Sequence, residues 1–252
     1  MLAEIVEYLA TPCPKAARRL GYLTEAVAIR ARHRRCRHAW HEHLENCRAA
    51  VMEAARSCSR RDTVLIAGSG ALLDLPVREL SGLFRQVILF DIVHPWTARL
   101  RTLALSNVRL DTADATGILE DVASGRMPKP APTALYRDQK PDLVVSANIL
   151  SQLALMPVKR LKAAGTHSPE ELAAYAGELQ SAHLAWLAGF TGTRLLLTDT
   201  HWSDGVHGGP LLEDLALPEP WRTWTWAMAP RPEIHPDRDV SHRVAAFLLP
   251  PA

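Results

Sequence analysis

Short apolar runs, each closed by a small or polar residue, recur along the chain after residue 61. They occupy residues 63–67, 87–90, 107–110, 143–146 and 194–198. Runs that are apolar throughout are typical of parallel strands buried on both faces, and segments of helical character separate them here. The pattern therefore predicts an α/β fold with a doubly wound, mostly parallel sheet.

Two more strand-like runs, at residues 221–228 and 243–249, follow with no helical pattern between them. Two strands without a helical crossover favour antiparallel pairing. We therefore expect seven strands in all, of which the last is antiparallel. A helix before the fifth run is also predicted, because Ser168, Pro169 and Glu171 form a capping box and the pattern continues to about Leu187.

The first 60 residues have a different pattern of apolar and polar positions, which is helical. From residue 16 to residue 60 there is no proline and only one glycine, and apolar residues recur at helical spacing, as in Trp40, Leu44, Cys47 and Val51. We predict a helical extension over residues 1–60, followed by a Rossmann-like domain over residues 61–252. Residues 125–141 contain four prolines and are predicted to form a loop.

Composition narrows the class of protein. Of 252 residues, 48% are hydrophobic and 22% are charged, as in globular proteins. No apolar run approaches the roughly 18 residues of a membrane span, and the four cysteines form no C-x-x-C pair. We expect a cytoplasmic protein with reduced cysteines and no membrane contact. The net charge is +2, but residues 1–60 carry 11 basic and 6 acidic side chains.

The first buried run ends in a glycine-rich turn, Gly68-Ser69-Gly70, and Asp91 closes the second run. Glycines let backbone N–H groups approach a ligand, and an acid at the end of the second strand can accept ribose hydroxyls. Together they predict a cofactor that contains a nucleoside. A dinucleotide fingerprint would place its third glycine at Leu73, so NAD and FAD are disfavoured.

With this turn and this acid, the sequence resembles the class I S-adenosylmethionine-dependent methyltransferases over roughly residues 60–250. The resemblance implies S-adenosylmethionine as cofactor and assigns it a set of contacts. These are Gly68, Ser69 and Gly70 beside the methionine part, Asp91 on the ribose, Asp114 and Ala115 beside the adenine, and Ser146 and Asn148 between cofactor and substrate. Asp74, in the same loop as the glycine turn, is expected to replace a polar contact that the superfamily makes elsewhere. The chain departs from the superfamily at Ile66, where an acid is usual, and at Leu72, where a third glycine is frequent.

The segment after the fifth run, residues 198–209, carries Asp199, His201, Asp204 and His207 and is expected to be a loop at the carboxyl edge of the sheet. A histidine there could take a proton from the methyl acceptor, so His201 is the candidate general base. Asn148 is the candidate residue that orients the acceptor. The segment has no recognised spacing of metal ligands, so we predict no metal site. A plain polar loop is the alternative.

The predicted activity is methyl transfer to an oxygen or nitrogen of a small molecule. Two alternatives stay open. One is a methyltransferase-like protein that has lost catalysis and serves as a binding or assembly partner, because Ile66 and Leu72 depart from the pattern. The other is an RNA methyltransferase that uses the basic stretch at residues 30–37. Nucleic acid is disfavoured, because these arginines surround a helix and do not form one stripe. The sequence identifies neither the methyl acceptor nor the oligomeric state.

Overall fold

The structure is a computed structural model that describes residues 2–249. Its helices are α1 (Leu2–Ala10), α2 (Lys15–Leu20), α3 (Tyr22–Arg35), α4 (Arg37–Ser57), α5 (Val77–Leu83), α6 (Trp96–Thr102), α7 (Leu119–Ala123), α8 (Leu155–Ala164) and α9 (Pro169–Ala188). Its strands are β1 (Thr63–Ala67), β2 (Gln86–Asp91), β3 (Val108–Thr112), β4 (Leu143–Ala147), β5 (Thr193–Ser203), β6 (Gly208–Pro210), β7 (Arg222–Ala229) and β8 (Val240–Leu249). Short 3-10 helices cover Arg137–Gln139 and Leu150–Gln152.

The strands form one sheet in the order β3-β2-β1-β4-β5-β8-β7. Strands β1 to β5 run parallel to one another, whereas β8 is antiparallel to both β5 and β7. The predicted doubly wound sheet with an antiparallel end is confirmed. The structure adds an eighth strand, since the three-residue β6 pairs with the end of β5.

Successive residues of the central strands point to opposite faces of the sheet, and both faces are buried. On one face, Val64 and Ile66 of β1 pack in the same core cluster as helices α4 and α5. On the other face, Leu65 and Ala67 pack with Trp186 of α9. Burial on both sides explains why these strands are apolar without interruption.

The capping box before α9 is present as predicted. The Ser168 hydroxyl accepts a hydrogen bond from the Glu171 backbone N–H at 3.2 Å, and the Glu171 carboxylate accepts one from the Ser168 N–H at 2.8 Å. The helix extends to Ala188, within a residue of the predicted end. The predicted loop at residues 125–141 holds only the short 3-10 helix, within the part of the chain that the structure describes.

Helix α4 lies against β7, the outermost strand of the sheet. Trp40 is 3% exposed, and its indole N–H donates a hydrogen bond to the carbonyl of Met228 at 2.9 Å. Its ring meets that of Trp226 edge-on, with centroids 4.9 Å apart. The N-terminal helical segment is therefore packed onto the sheet through buried aromatic contacts.

Strand β5 is longer than expected, and the prediction that residues 198–209 form one loop was wrong for residues 198–203, which belong to β5, and for residues 208–209, which belong to β6. Asp199 pairs with Val244 of β8, and His201 pairs with Arg243, across a bulge. The long β8 supplies backbone partners that keep residues 199–203 extended. Asp204 and His207 lie in the turn between β5 and β6.

Among the helices that the structure describes, none has both the length and the apolar character needed to cross a membrane.

Candidate functional site

A cavity of about 410 Å³ opens at the carboxyl ends of β1 to β4. Its volume falls within the range of about 300–1,000 Å³ that small-molecule sites occupy. Its walls come from the turn after β1, the segments after β2 and β3, the start of the segment after β4, and the helices α3 and α8. Five of the residues predicted from sequence line it: Gly68, Gly70, Asp91, Asp114 and Ala115.

The turn after β1 depends on Gly68, which has a φ of 80°. A Cβ atom at this position would lie 2.1 Å from Cγ2 of Ile149 and 2.5 Å from the carbonyl oxygen of Ala147. No other residue type fits in this space, because the turn passes directly over the end of β4. The turn is anchored to β2 by a hydrogen bond of 3.0 Å from the Gly68 N–H to the Phe90 carbonyl.

Asp91 faces both the turn and the cavity. One carboxylate oxygen accepts the Gly70 N–H at 2.9 Å, and the other accepts the Val93 N–H at 3.3 Å. Burial raises the pKa of Asp91 to about 6, although hydrogen bonds from Val93, Gly70 and Ile92 oppose the shift. The carboxylate is thus fixed in place by backbone donors, and its remaining lone pairs can accept hydrogen bonds from a ligand.

Asp114 also lines the cavity, but backbone groups occupy most of its carboxylate. It accepts hydrogen bonds from the Thr116 N–H at 2.9 Å, the Thr116 hydroxyl at 2.6 Å and the Leu119 N–H at 2.9 Å. These bonds shape the loop between β3 and α7. That loop presents Ala113 and Ala115 to the cavity, and their small side chains leave room for a flat group.

The opposite wall was not foreseen from the sequence. Tyr22, Glu25, Ala26 and Ile29 of α3 lie at helical spacing and line the cavity together. Burial raises the pKa of the Tyr22 phenol well above its usual range, and the nearby carboxylates of Asp114 and Asp91 raise it further. The periodic pattern of α3 was visible, but nothing in it distinguishes a helix face that covers a cavity from one that covers a core.

Ser69 and Ser146 are placed near the site but point away from the cavity. The Ser69 hydroxyl lies 2.8 Å from Nε2 of His94, and the Ser146 hydroxyl lies 2.8 Å from Nε2 of His183. All four side chains are buried. Burial lowers the pKa of each histidine to about 4, so both rings are neutral at pH 7 and act as hydrogen-bond partners.

Asn148 and Asp74 meet each other outside the lining of this cavity. The Asn148 side-chain amide donates to the Asp74 carboxylate at 2.7 Å and lies 3.5 Å from the Cys47 sulfur. Burial raises the pKa of Asp74, which the hydrogen bond from Asn148 opposes. Asn148 has a left-handed φ of 53° and does not line the cavity, whereas its neighbour Ile149 does.

His201 is exposed and does not line the cavity. Its Nδ1 lies 3.2 Å from the Thr200 hydroxyl. Asp199, in contrast, is buried, and its carboxylate contacts Nδ1 of His242 at 2.7 Å and accepts a hydrogen bond from Ser151. His242 was missed by the sequence analysis, because a single histidine inside a strand carries no motif.

From the sequence, no metal site is predicted at Asp199, His201, Asp204 and His207. Within residues 2–249, no three His, Cys, Asp or Glu side chains are grouped so that they could hold a metal ion.

The departure at Leu72 has a structural explanation. Its φ is 58°, a left-handed conformation that favours glycine, so the backbone adopts there the shape expected of a third glycine. The Leu72 side chain is 5% exposed and belongs to the core cluster under α4 and α5. Apolar packing therefore offsets the strain. Ile66 is fully buried in the same cluster, so the acid usual in the superfamily has no counterpart at that position.

No protein-family model matches the sequence, and no curated protein matches it either. The solved structures that resemble the chain include the complex of DhpI with SAH, at 15% identity over 87% of this chain and 93% of that chain, with a TM-score of 0.36. They also include the N-methyltransferase NodS from Bradyrhizobium japonicum, at 12% identity over 84% and 97%, with a TM-score of 0.38. A third is the 1,6-didemethyltoxoflavin-N1-methyltransferase of Burkholderia thailandensis, at 15% identity over 88% and 89%, with a TM-score of 0.34.

The topology itself is decisive for the fold. The strand order β3-β2-β1-β4-β5-β8-β7 joins five parallel strands to an antiparallel pair. A glycine turn follows the first strand, and an acid closes the second. The chain has the fold of the class I S-adenosylmethionine-dependent methyltransferases.

Proposed function

We propose that the chain binds S-adenosylmethionine in the cavity at the carboxyl ends of β1 to β4 and transfers its methyl group to an oxygen or nitrogen of a small molecule. The observation that carries the proposal is the convergence of Gly68, Gly70, Asp91, Asp114 and Ala115, from three separate strand ends, on that one cavity. The cofactor supplies a methyl group on a sulfonium, which is activated for direct displacement. The chain's own residues need only bind, orient and exclude water.

The lining residues fit the nucleoside part of the cofactor. Asp91 is held by two backbone N–H groups and can accept ribose hydroxyls without moving. Gly70 leaves the approach to Asp91 open, because a Cβ atom there would lie 3.5 Å from its carboxylate oxygen. Ala113 and Ala115 leave space for the adenine, as the resemblance implies for the loop after β3.

The substrate side favours a small molecule over RNA. Four of the five arginines at residues 30–37, which could have contacted phosphates, are paired with acids. Arg30 contacts Glu7, and Arg32 and Arg35 contact Glu233. The cavity wall at α3 and α8 is instead mostly apolar, with Ile29 and Leu155 partly exposed at its edge. An apolar wall excludes water from the methyl group and suits a small acceptor.

Transfer to an O–H or N–H group also requires a base for the departing proton. His201 remains the candidate from the sequence, although its side chain lies outside the cavity. The structure supports a second candidate, His242, because the buried Asp199 fixes its Nδ1. Like His201, His242 does not line the cavity.

Calorimetric titration with S-adenosylmethionine and S-adenosylhomocysteine tests the proposal. We expect saturable binding to the wild type and a loss of affinity of at least about a hundredfold in Asp91→Ala, because two hydrogen bonds to a charged group disappear. Asp62→Ala is the matched control, since Asp62 lies at the opposite end of β1 and pairs with Arg60. Equal affinity in Asp91→Ala, with an unchanged melting temperature, would contradict the assignment of this cavity.

Incubation of the loaded protein with small hydroxyl and amine compounds then distinguishes an enzyme from an inactive binding protein. A transferase converts S-adenosylmethionine into S-adenosylhomocysteine only when a suitable acceptor is present. An inactive relative binds both cofactor forms and produces none.

Nucleoside binding is expected to weaken in acid. Only the ionised Asp91 carboxylate accepts hydrogen bonds with both oxygens, and its pKa in the free protein is about 6. Affinity should therefore be constant above pH 7 and fall about tenfold by pH 5. The probe is 5′-methylthioadenosine, whose charge does not change over this range. Affinity that is flat from pH 8 to pH 5 would contradict the role of Asp91.

The same raised pKa also affects the stability of the ligand-free protein. Protonated Asp91 stabilises the fold below the pKa that this residue has in the unfolded chain, and the contribution is lost as the pH rises through 6.

A further inference from the structure

A second cavity, of about 390 Å³, lies on the outer side of the segment that follows the glycine turn. It is separate from the cofactor cavity, and the two share no lining residue. Three arginines from three different helices converge on it: Arg48 of α4, Arg78 of α5 and Arg101 of α6. We call this cavity the arginine groove.

Two of the guanidinium groups are fixed by backbone carbonyls. Arg48 donates to the carbonyl of Leu73, and Arg101 donates to the carbonyl of Ala71 at 3.3 Å. A carbonyl orients a guanidinium but does not neutralise its charge, and each guanidinium has five N–H donors. Both groups therefore retain donors for a ligand while their position is already set.

Acidic partners are few in the groove. Arg48 is paired with Glu45 at 2.5 Å. In the described part of the chain, neither Arg78 nor Arg101 forms a salt bridge, and Glu79 is the remaining acid that lines the groove. Once the Arg48–Glu45 pair is set aside, two arginines face one glutamate. The groove therefore keeps an excess of positive charge.

The positive potential extends to a neighbouring side chain. The pKa of His33 is lowered, first by burial and then by the charges of Arg101, Arg30, Arg48 and Arg34. Arg30 and Arg34 are paired with glutamates of α1, whereas Arg101 has no acidic partner among residues 2–249. The groove therefore lies in a region where an additional anion would be stabilised.

We propose that the arginine groove binds a compact oxyanion, a phosphate group above all, between Arg78 and Arg101. Guanidinium groups bind phosphate and carboxylate oxygens through paired, charge-assisted hydrogen bonds. Leu72 and Leu105 also line the groove and add apolar surface beside the arginines. This site is independent of the proposed methyl transfer, because neither the cofactor nor its cavity takes part in it.

Titration with inorganic phosphate, followed by calorimetry at constant ionic strength and without cofactor, tests the proposal. Acetate is the second probe and distinguishes a doubly charged phosphate from a carboxylate. We expect saturable phosphate binding and a loss of affinity of about tenfold or more in Arg78→Gln and in Arg101→Gln, since each removes charge-assisted hydrogen bonds. Tighter binding of phosphate than of acetate supports a phosphate ligand, and equal binding supports a general oxyanion site.

The matched control is Arg85→Gln, because Arg85 is 86% exposed, pairs with Asp62 and does not line the groove. It should bind phosphate as the wild type does. Arg78 is exposed and without a salt bridge in the described chain, so Arg78→Gln should fold normally, which its melting temperature will check. The proposal is overturned if phosphate shows no saturable binding to the wild type, or if Arg78→Gln and Arg101→Gln bind it as tightly as Arg85→Gln does.

Discussion

Replacing Gly68 with alanine is expected to destabilise the protein by about 2–5 kcal/mol and to abolish cofactor binding. The added Cβ atom would lie 2.1 Å from Ile149 and 2.5 Å from the carbonyl oxygen of Ala147. The Ile149 side chain could turn aside, but the carbonyl belongs to the end of a buried strand and cannot. Either movement displaces residues at the cavity, so affinity and stability should fall together. Urea unfolding and calorimetric titration with S-adenosylhomocysteine measure the two effects.

Gly125→Ala is a matched control for this substitution. Gly125 has a φ of 89°, close to the 80° of Gly68, but a Cβ atom there would meet no atom within 4 Å. The control therefore adds the same backbone strain without the collision and should cost only about 1–2 kcal/mol. If both variants lose the same stability, backbone strain alone accounts for the requirement for glycine at this turn, and the proposed collision with β4 is wrong.

Trp40→Ala is expected to cost about 3–5 kcal/mol, the usual range for a buried tryptophan. Trp40 is 3% exposed, packs edge-on against Trp226 and donates to the Met228 carbonyl. Its loss leaves a cavity between α4 and β7 and an unpaired carbonyl. Because α4 also packs under the central strands, unfolding should remain a single transition that shifts to lower urea concentration. Circular dichroism follows this shift.

Two controls separate the contributions of Trp40. His41→Ala changes an exposed neighbour on the same helix and should alter stability by no more than about 0.5 kcal/mol. Trp40→Phe keeps an aromatic ring but removes the indole N–H, so it should fall between the wild type and Trp40→Ala. If Trp40→Ala produced two separate transitions, the N-terminal helices would unfold independently of the sheet, contrary to the packing described above.

The central sheet could be predicted from the sequence because its strands are buried on both faces. A strand such as β1 must then be apolar at every position, which sets it apart from amphipathic helices of the same chain. The capping box at Ser168 was equally legible, since its two hydrogen bonds depend on residues only three positions apart. Both features depend on residues that are close to one another in the sequence, so the sequence alone is enough to predict them.

The features that the sequence did not predict depend on contacts between residues that are distant in the sequence. Residues 199–203 look like a polar loop in the sequence, but they form a strand because they pair with β8. No residue close to Asp199 in the sequence indicates this pairing. The direction of the Ser69 and Ser146 side chains is decided by buried histidines 25 and 37 residues away. For the same reason, the sequence identified the acids of the cavity but not the face of α3 that covers it.

The contact between α4 and β7 bears on how the molecule reaches its native state. The hydrogen bond from Trp40 to Met228 spans 188 residues of chain. During synthesis, α4 emerges long before the strand that covers Trp40, so the end of that helix that carries Trp40 and Leu44 stays without its final partner while the parallel strands assemble. Closing so long a loop is slow, because its entropy must be lost before the aromatic contacts form. The docking of β7 onto α4 is therefore expected to be a late event in folding, and until then the aromatic end of α4 is exposed to solvent.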